Sequence, residues 1–332
     1  MNYHNLIEYI EKSSIEQLHS FYETHAGEFA RGGYDEYVKC HVQYRLRRHD
    51  IKRLIWNLFI KRLWKKPYWD VFNGYLPPAF YVDDDDLPPT FYDGIKNLKD
   101  YIGEIRNIKY EDDRSYDVLA DILYYRLTSD KRILFQNIEL LKDMYFDNNV
   151  VNYFRNDWLK CIVDCGAYNG DTVRSLIRKQ KKYGKIYCFE ANKQNFGRLE
   201  KCAGKLRNIT CFNNAVGNES VNITTRLDGV SSRVNHFSEV SDSEFIRMVM
   251  IDDAISEPIT FIKMDIEGEE LNALKGAKEH IINDRPAMAI SLYHKLQDIY
   301  EIPSYIHGLD SSYRFLLRKY GETISELVLY VF

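Results

Sequence analysis

One stretch limits this chain more than any other. The apolar run Cys161-Ile-Val-Asp164 leads into Gly166-Ala-Tyr-Asn-Gly170, and Asp171-Thr-Val-Arg-Ser-Leu-Ile177 then begins an amphipathic pattern. A short buried strand, a turn with two glycines and a helix make the first half of a βαβ unit. Glycines at such a turn let a ligand approach the backbone and the helix N-terminus. The same alternation continues, with strands at 186–189 and 209–212 around a helix near 195–206. Further strands are predicted at 221–225, 248–251, 259–264 and 287–292, with a helix over 269–282. Segments 313–318 and 327–332 close the pattern as an antiparallel pair. This rhythm predicts an α/β domain with a mostly parallel sheet over 155–332.

The part before it reads differently. Residues 1–78 form a mainly helical region, in which Leu6, Ile7, Tyr9 and Ile10 open one pattern and Ile51, Leu54, Ile55, Leu58 and Phe59 a clearer one. A proline- and aspartate-rich linker follows at 79–90, then a helical subdomain at 91–154 with stripes at Val118–Tyr125 and Ile133–Leu141. At 332 residues the chain exceeds the usual single domain, so a catalytic domain with a smaller partner is expected.

The acids around the turn select the ligand. A dinucleotide would place its pyrophosphate here, and Asp164 and Asp171 would repel it. A cationic sulfonium donor, S-adenosylmethionine, is favoured by the same charges. The spacing of Gly166 and Gly170 also departs from the Gly-x-Gly-x-x-Gly of dinucleotide sites. Glu190 closes the second strand, where an acid can accept both ribose hydroxyl hydrogens. Asn214 and Ala215, after the third strand, stand where a loop covers the adenine. Asp164, Gly166, Ala167, Gly170, Asp171, Glu190, Asn214 and Ala215 are therefore the candidate cofactor residues.

A second constellation begins at Asp265-Ile-Glu-Gly-Glu-Glu270, after the strand 259–264 and at the start of a helix. Residues beyond strand carboxyl ends line the crevice of an open α/β sheet, which places Asp265 and Glu267 for substrate or cofactor. Glu269 and Glu270 read as acids complementing a helix N-terminus. His294 follows the strand 287–292, and its near-neutral titration makes it the first candidate base for a hydroxyl nucleophile. Asp265 is the alternative base, or orients His294. Asp265 and Glu267 have the oxygen ligands that suit magnesium or calcium, and no His or Cys cluster supports zinc; we expect no metal. Lys263 and Lys295 flank the crevice, although strand alternation can turn Lys263 away. Tyr293 reads as packing, and Asp228–Arg233 as a polar loop.

Together, Asp164-x-Gly-Ala-x-x-Gly-Asp171, Phe189-Glu190, Ile262-Lys-Met-Asp-Ile-Glu-Gly-Glu-Glu-Leu271 with Leu274-Lys-Gly-Ala277, and Ser291-Leu-Tyr-His-Lys295 with Asp298 and Ile302-Pro303 resemble the FkbM family of methyltransferases. The resemblance covers about 155–332. It implies a class I, Rossmann-like fold, S-adenosylmethionine as donor and O-methylation of a hydroxyl on a sugar, glycan or related metabolite. Ala191 stands where the family commonly has proline. A catalytically silent cofactor- or glycan-binding module and a nicotinamide-dependent dehydrogenase are the competing readings.

Net charge of −4 and an ordinary globular composition speak against a polyanionic partner, so we expect no nucleic acid. Between 45 and 66 nine basic residues stand against Asp50 alone, interleaved with Leu54, Trp56, Phe59 and Trp64. This pattern fits a helix packed on a neighbour with a solvated basic face, or one in peripheral contact with an anionic membrane. The six cysteines match neither a zinc site nor a disulfide framework. With no apolar leader or spanning run, a cytoplasmic location is expected, and peripheral contact at the inner face of the membrane is the alternative to packing on a neighbour that the basic stretch leaves open. Oligomeric state is not readable.

Overall fold

The computed structural model describes residues 2–28, 99–128, 130–180, 182–228, 231–235, 243–295, 297–321 and 326–332. The basic stretch 45–66, the linker 79–90 and Cys40 lie outside the described residues. The chain divides into two compact units, Met1–Gly103 with Leu119–Asn137, and Glu104–Val118 with Ile138–Phe332.

In the first unit, α1 (Tyr3–Lys12) buries Tyr3, Leu6, Ile7 and Ile10 along one face, and Asn2 caps its N-terminus. Ser14 opens α2 (Ile15–Glu28) with a capping box: the Gln17 amide donates to its hydroxyl at 3.1 Å, and its own amide donates to the Gln17 side chain at 2.7 Å. The stripe at Val118–Tyr125 lies on α3 (Asp113–Thr128), as its spacing predicts. The one at Ile133–Leu141 does not make a helix. It forms two short 3-10 turns, Lys131–Phe135 and, already in the second unit, Leu141–Asp143. Asn137 between them takes a left-handed φ of 51°, which breaks the helical path, and Ile138 bridges to Lys319.

The second unit is built on a seven-stranded sheet. Its strands are β1 (Cys161–Cys165), β2 (Lys185–Phe189), β3 (Ile209–Phe212), β8 (Phe261–Met264), β9 (Ala287–Ser291), β10 (Phe315–Lys319) and β11 (Leu327–Val331). The order is β10-β11-β9-β8-β1-β2-β3, and β11 alone runs antiparallel to its neighbours. Strands β1, β8, β9, β10 and β11 are buried at every position, as expected where both faces of a sheet are covered. Helices α4 (Asp171–Lys179) and α5 (Lys193–Ala203) follow β1 and β2. Phe146, Trp158 and Phe261 form the aromatic centre of the core, the last two edge to face at 5.2 Å.

Two predicted strands belong elsewhere. The runs near 221–225 and 248–251 fall on β5 (Asn222–Asp228) and β7 (Ser243–Val249), which join β4 (Ala215–Val216) and β6 (Ser231–Asn235) in a separate four-stranded sheet. The expected loop Asp228–Arg233 lies in the antiparallel pairing of β5 with β6, whose register runs to Asp228↔Ser231. The helix expected over 269–282 is two, α6 (Glu270–Lys275) and α7 (Lys278–Asn283). The break falls at Gly276, where any Cβ would lie 1.9 Å from the Gly217 carbonyl oxygen. Helix α8 (Asp298–Leu309) then leads to β10. No helix among the described residues is long and apolar enough to cross a membrane.

Candidate functional site

The turn after β1 is held by backbone bonds. The amides of Gly166 and Ala167 both donate to the Phe189 carbonyl, at 2.9 and 3.0 Å, tying the turn to the end of β2. Gly166 has φ +77°, and a Cβ there would stand 1.9 Å from the Asp265 carbonyl oxygen. Only glycine lets the loops after β1 and β8 pack so closely.

Asp164 and Lys263 form a buried pair under this turn. Lys263 Nζ lies 3.2 Å from Asp164 Oδ1 and donates to the carbonyl of Gly166 at 2.8 Å. Burial pushes the Asp164 carboxyl up, while Lys263 opposes the rise. The expectation that Asp164 offers its charge to a cationic donor is thus revised, because that charge is matched within the core. Lys263 likewise serves the turn, through the carbonyls of Cys165 and Gly166.

A cavity of about 280 Å³ opens at this end of the sheet. Gly166, Asp171, Glu190, Asn214, Ala215, Asp265 and Glu267 line it, together with Lys263, Met144, Tyr145 and Tyr293. Asp164, Ala167 and Gly170 are not on its walls; they shape the turn from behind. Glu190 is almost buried, and its two carboxylate oxygens accept from the amides of Tyr168 and Asn192, each at 2.8 Å. Burial raises its carboxyl pKa, and these two amides oppose that. Asn213 donates to the carbonyls of Glu190 and Ala191, fixing the β2 end from the other side.

The second constellation meets the same cavity. Asp265 accepts from Tyr145 on Oδ2 and from Tyr293 on Oδ1, both at 2.8 Å. Glu267 has φ 59°, and Gly268 after it φ +98°, so the loop turns sharply before α6. His294 is not on the wall. Its Nε2 stands 3.5 Å from Asp265 Oδ1 and 3.7 Å from Glu267 Oε2, and its Nδ1 lies 2.9 Å from Glu270 Oε1. Burial opposes the charged imidazole, but Glu270, Asp265 and Glu267 together raise its pKa. Asp298, at the start of α8, accepts from the Lys295 amide at 3.0 Å, and burial beside Glu270 pushes its carboxyl up to about 7.

Three residues here exceed what the sequence reading assigned them. Glu270, read as a helix-end acid, is completely buried against His294. Tyr293, read as packing, bonds Asp265. Tyr145, far away in sequence and without any motif, does the same; only the fold brings it there.

A sheet of this order, with one reversed strand near its edge and a glycine turn after β1, defines a class I methyltransferase fold. Residues 164–321 match the methyltransferase FkbM domain. Among solved structures the chain is similar to methyltransferase FkbM from Methylobacillus flagellatus KT, at 26% identity and a TM-score of 0.62. That match covers 71% of this chain and 60% of the other, so the chain spans under two thirds of that relative's length. An rRNA methylase from Streptococcus thermophilus is similar at 16% identity and a TM-score of 0.34, over 57% of this chain and 89% of that one. Aeropyrum pernix fibrillarin, solved with natively bound S-adenosyl-L-methionine, is similar at 11% and 0.35, over 52% and 66%. No curated protein matches the chain.

Proposed function

We propose that the protein is an S-adenosylmethionine-dependent O-methyltransferase that acts on a hydroxyl of a sugar, glycan or related metabolite. One observation carries this reading: a single cavity is walled both by the glycine turn with Glu190 and by the carboxylates of Asp265 and Glu267. S-adenosylmethionine is the methyl donor. Glu190 accepts its ribose hydroxyls, and Asn214 and Ala215 border its base. The acceptor oxygen attacks the methyl carbon, the carbon–sulfur bond breaks, and S-adenosylhomocysteine leaves. An alcohol is a poor nucleophile unless its proton departs as the new bond forms. We assign that proton to the Asp265–Glu267 wall. Since His294 stands behind these acids, we give it the role of orienting them.

The test is methyl transfer from labelled S-adenosylmethionine to a panel of glycans and metabolites, with mass spectrometry locating the new methyl. An ether methyl that is lost with Asp265→Asn, while donor binding persists, supports the reading. A methyl on nitrogen or carbon, or turnover unchanged in Asp265→Asn, overturns it.

A further inference from the structure

We propose that Asp265, Glu270 and His294 form a binding site for a divalent cation of the manganese or zinc type. The three come from separate places: the loop after β8, the first turn of α6 and the segment after β9. Each brings one ligand atom to within 4.8 Å of the others. This is not the grouping expected from sequence, which paired Asp265 with Glu267 and anticipated no metal.

Proximity of acids alone would not make a site. Here Glu270 is completely buried, yet its Oε2 has no hydrogen-bond partner. His294, nine-tenths buried, has its Nδ1 2.9 Å from the other oxygen of Glu270. Buried polar atoms left without partners are costly, and a cation on this cluster would engage them. Charge argues in the same direction. Three carboxylates, Asp265, Glu267 and Glu270, surround one imidazole. The ammonium of Lys263 is committed to Asp164 and two backbone carbonyls, and Lys295 lies 3.7 Å from Glu269.

The donor set decides the type of ion. One imidazole nitrogen with carboxylate oxygens suits manganese or zinc, whereas magnesium and calcium favour oxygen throughout. Tyr145 and Tyr293, each donating to Asp265, are the outer hydrogen bonds that orient a carboxylate ligand. What the ion does rests on the proposed O-methyl transfer: behind the cavity wall it would hold the Asp265 carboxylate in place toward the acceptor and offset the charge of the acid cluster. The binding itself does not depend on that reading.

Manganese titration of the purified full chain, followed by electron paramagnetic resonance, tests the proposal. The expected result is one saturable site whose pulsed spectrum shows coupling to a histidine nitrogen. His294→Ala and Glu270→Gln should each weaken binding about tenfold or more, and Glu257→Gln, a change at the ion-pair partner of Lys185 at the start of β2, should not. Calorimetric S-adenosylmethionine binding reports whether each variant is folded, and the wild-type nitrogen signal decides the matter if one is not. No saturable binding at roughly millimolar metal, no nitrogen coupling, or affinity indifferent to both substitutions overturns the proposal. Metal binding without methyl transfer sinks only the enzymatic reading. Chelator-insensitive methyl transfer without metal binding sinks only the metal site.

Discussion

The ammonium of Lys263 stands 3.2 Å from the carboxylate of Asp164, with both side chains almost wholly buried beneath the glycine turn. Each ion makes the other tolerable in the core. Removing one leaves an uncompensated buried charge, which costs about 3–5 kcal/mol. Lys263→Met should therefore destabilise the protein strongly in urea unfolding, and Lys263→Met with Asp164→Leu should cost less than the sum of the single changes. Additive effects would show that the pair is not coupled.

Gly166→Ala should abolish donor binding. Its φ of +77° and the 1.9 Å approach of the Asp265 carbonyl leave no room for a methyl group without parting the two loops. A loss of about 2 kcal/mol or more in stability is expected, with no heat of S-adenosylmethionine binding in calorimetry. Near-native affinity would contradict the close packing of these loops.

Glu190→Gln should weaken S-adenosylmethionine about tenfold, because a neutral amide accepts ribose hydroxyls less strongly than a carboxylate. The carboxyl pKa is raised by burial. Wild-type affinity should accordingly fall as the pH drops toward the acid range, while the affinity of Glu190→Gln stays flatter. Parallel pH profiles for the two proteins would remove Glu190 from the donor site.

Asp298 predicts a pH dependence of stability. Its carboxyl is pushed up from 3.8 to about 7 in the fold, mainly by burial. A raised carboxyl pKa means the folded state holds the proton more tightly than the unfolded chain does. The contribution is therefore complete below about pH 4 and is lost as pH rises to about 7. Asp298→Asn should remove that loss, gaining up to about 4 kcal/mol over wild type at pH 8 but little at pH 4. Thermal melts across this range check it, and a constant difference between the two proteins would refute it.

Much of the glycine-turn side of the cavity was legible in the chain. Strand β1, the glycine turn, α4 and Glu190 are consecutive pieces of one βαβ unit, so local patterning was enough to find them. The small sheet was not, because β5 and β7 have the same apolar texture as strands of the main sheet and only their pairing separates them. Gly276 looked like one residue of a long helix; the backbone leaves the helical path at Ala277 just after it, which divides α6 from α7.

Sequence by itself determined the class of fold and the place of the glycine turn, since both rest on short-range periodicity and on glycines that the backbone requires locally. Tertiary structure decided what the charges do. It directed Asp164 to Lys263, withdrew His294 behind Asp265 and Glu267, buried Glu270 beside it, and carried Tyr145 across 120 positions to the Asp265 carboxylate. The physical reason is that an ionisable group takes its role from its burial and its partners, and those are set by which loops converge at the strand ends.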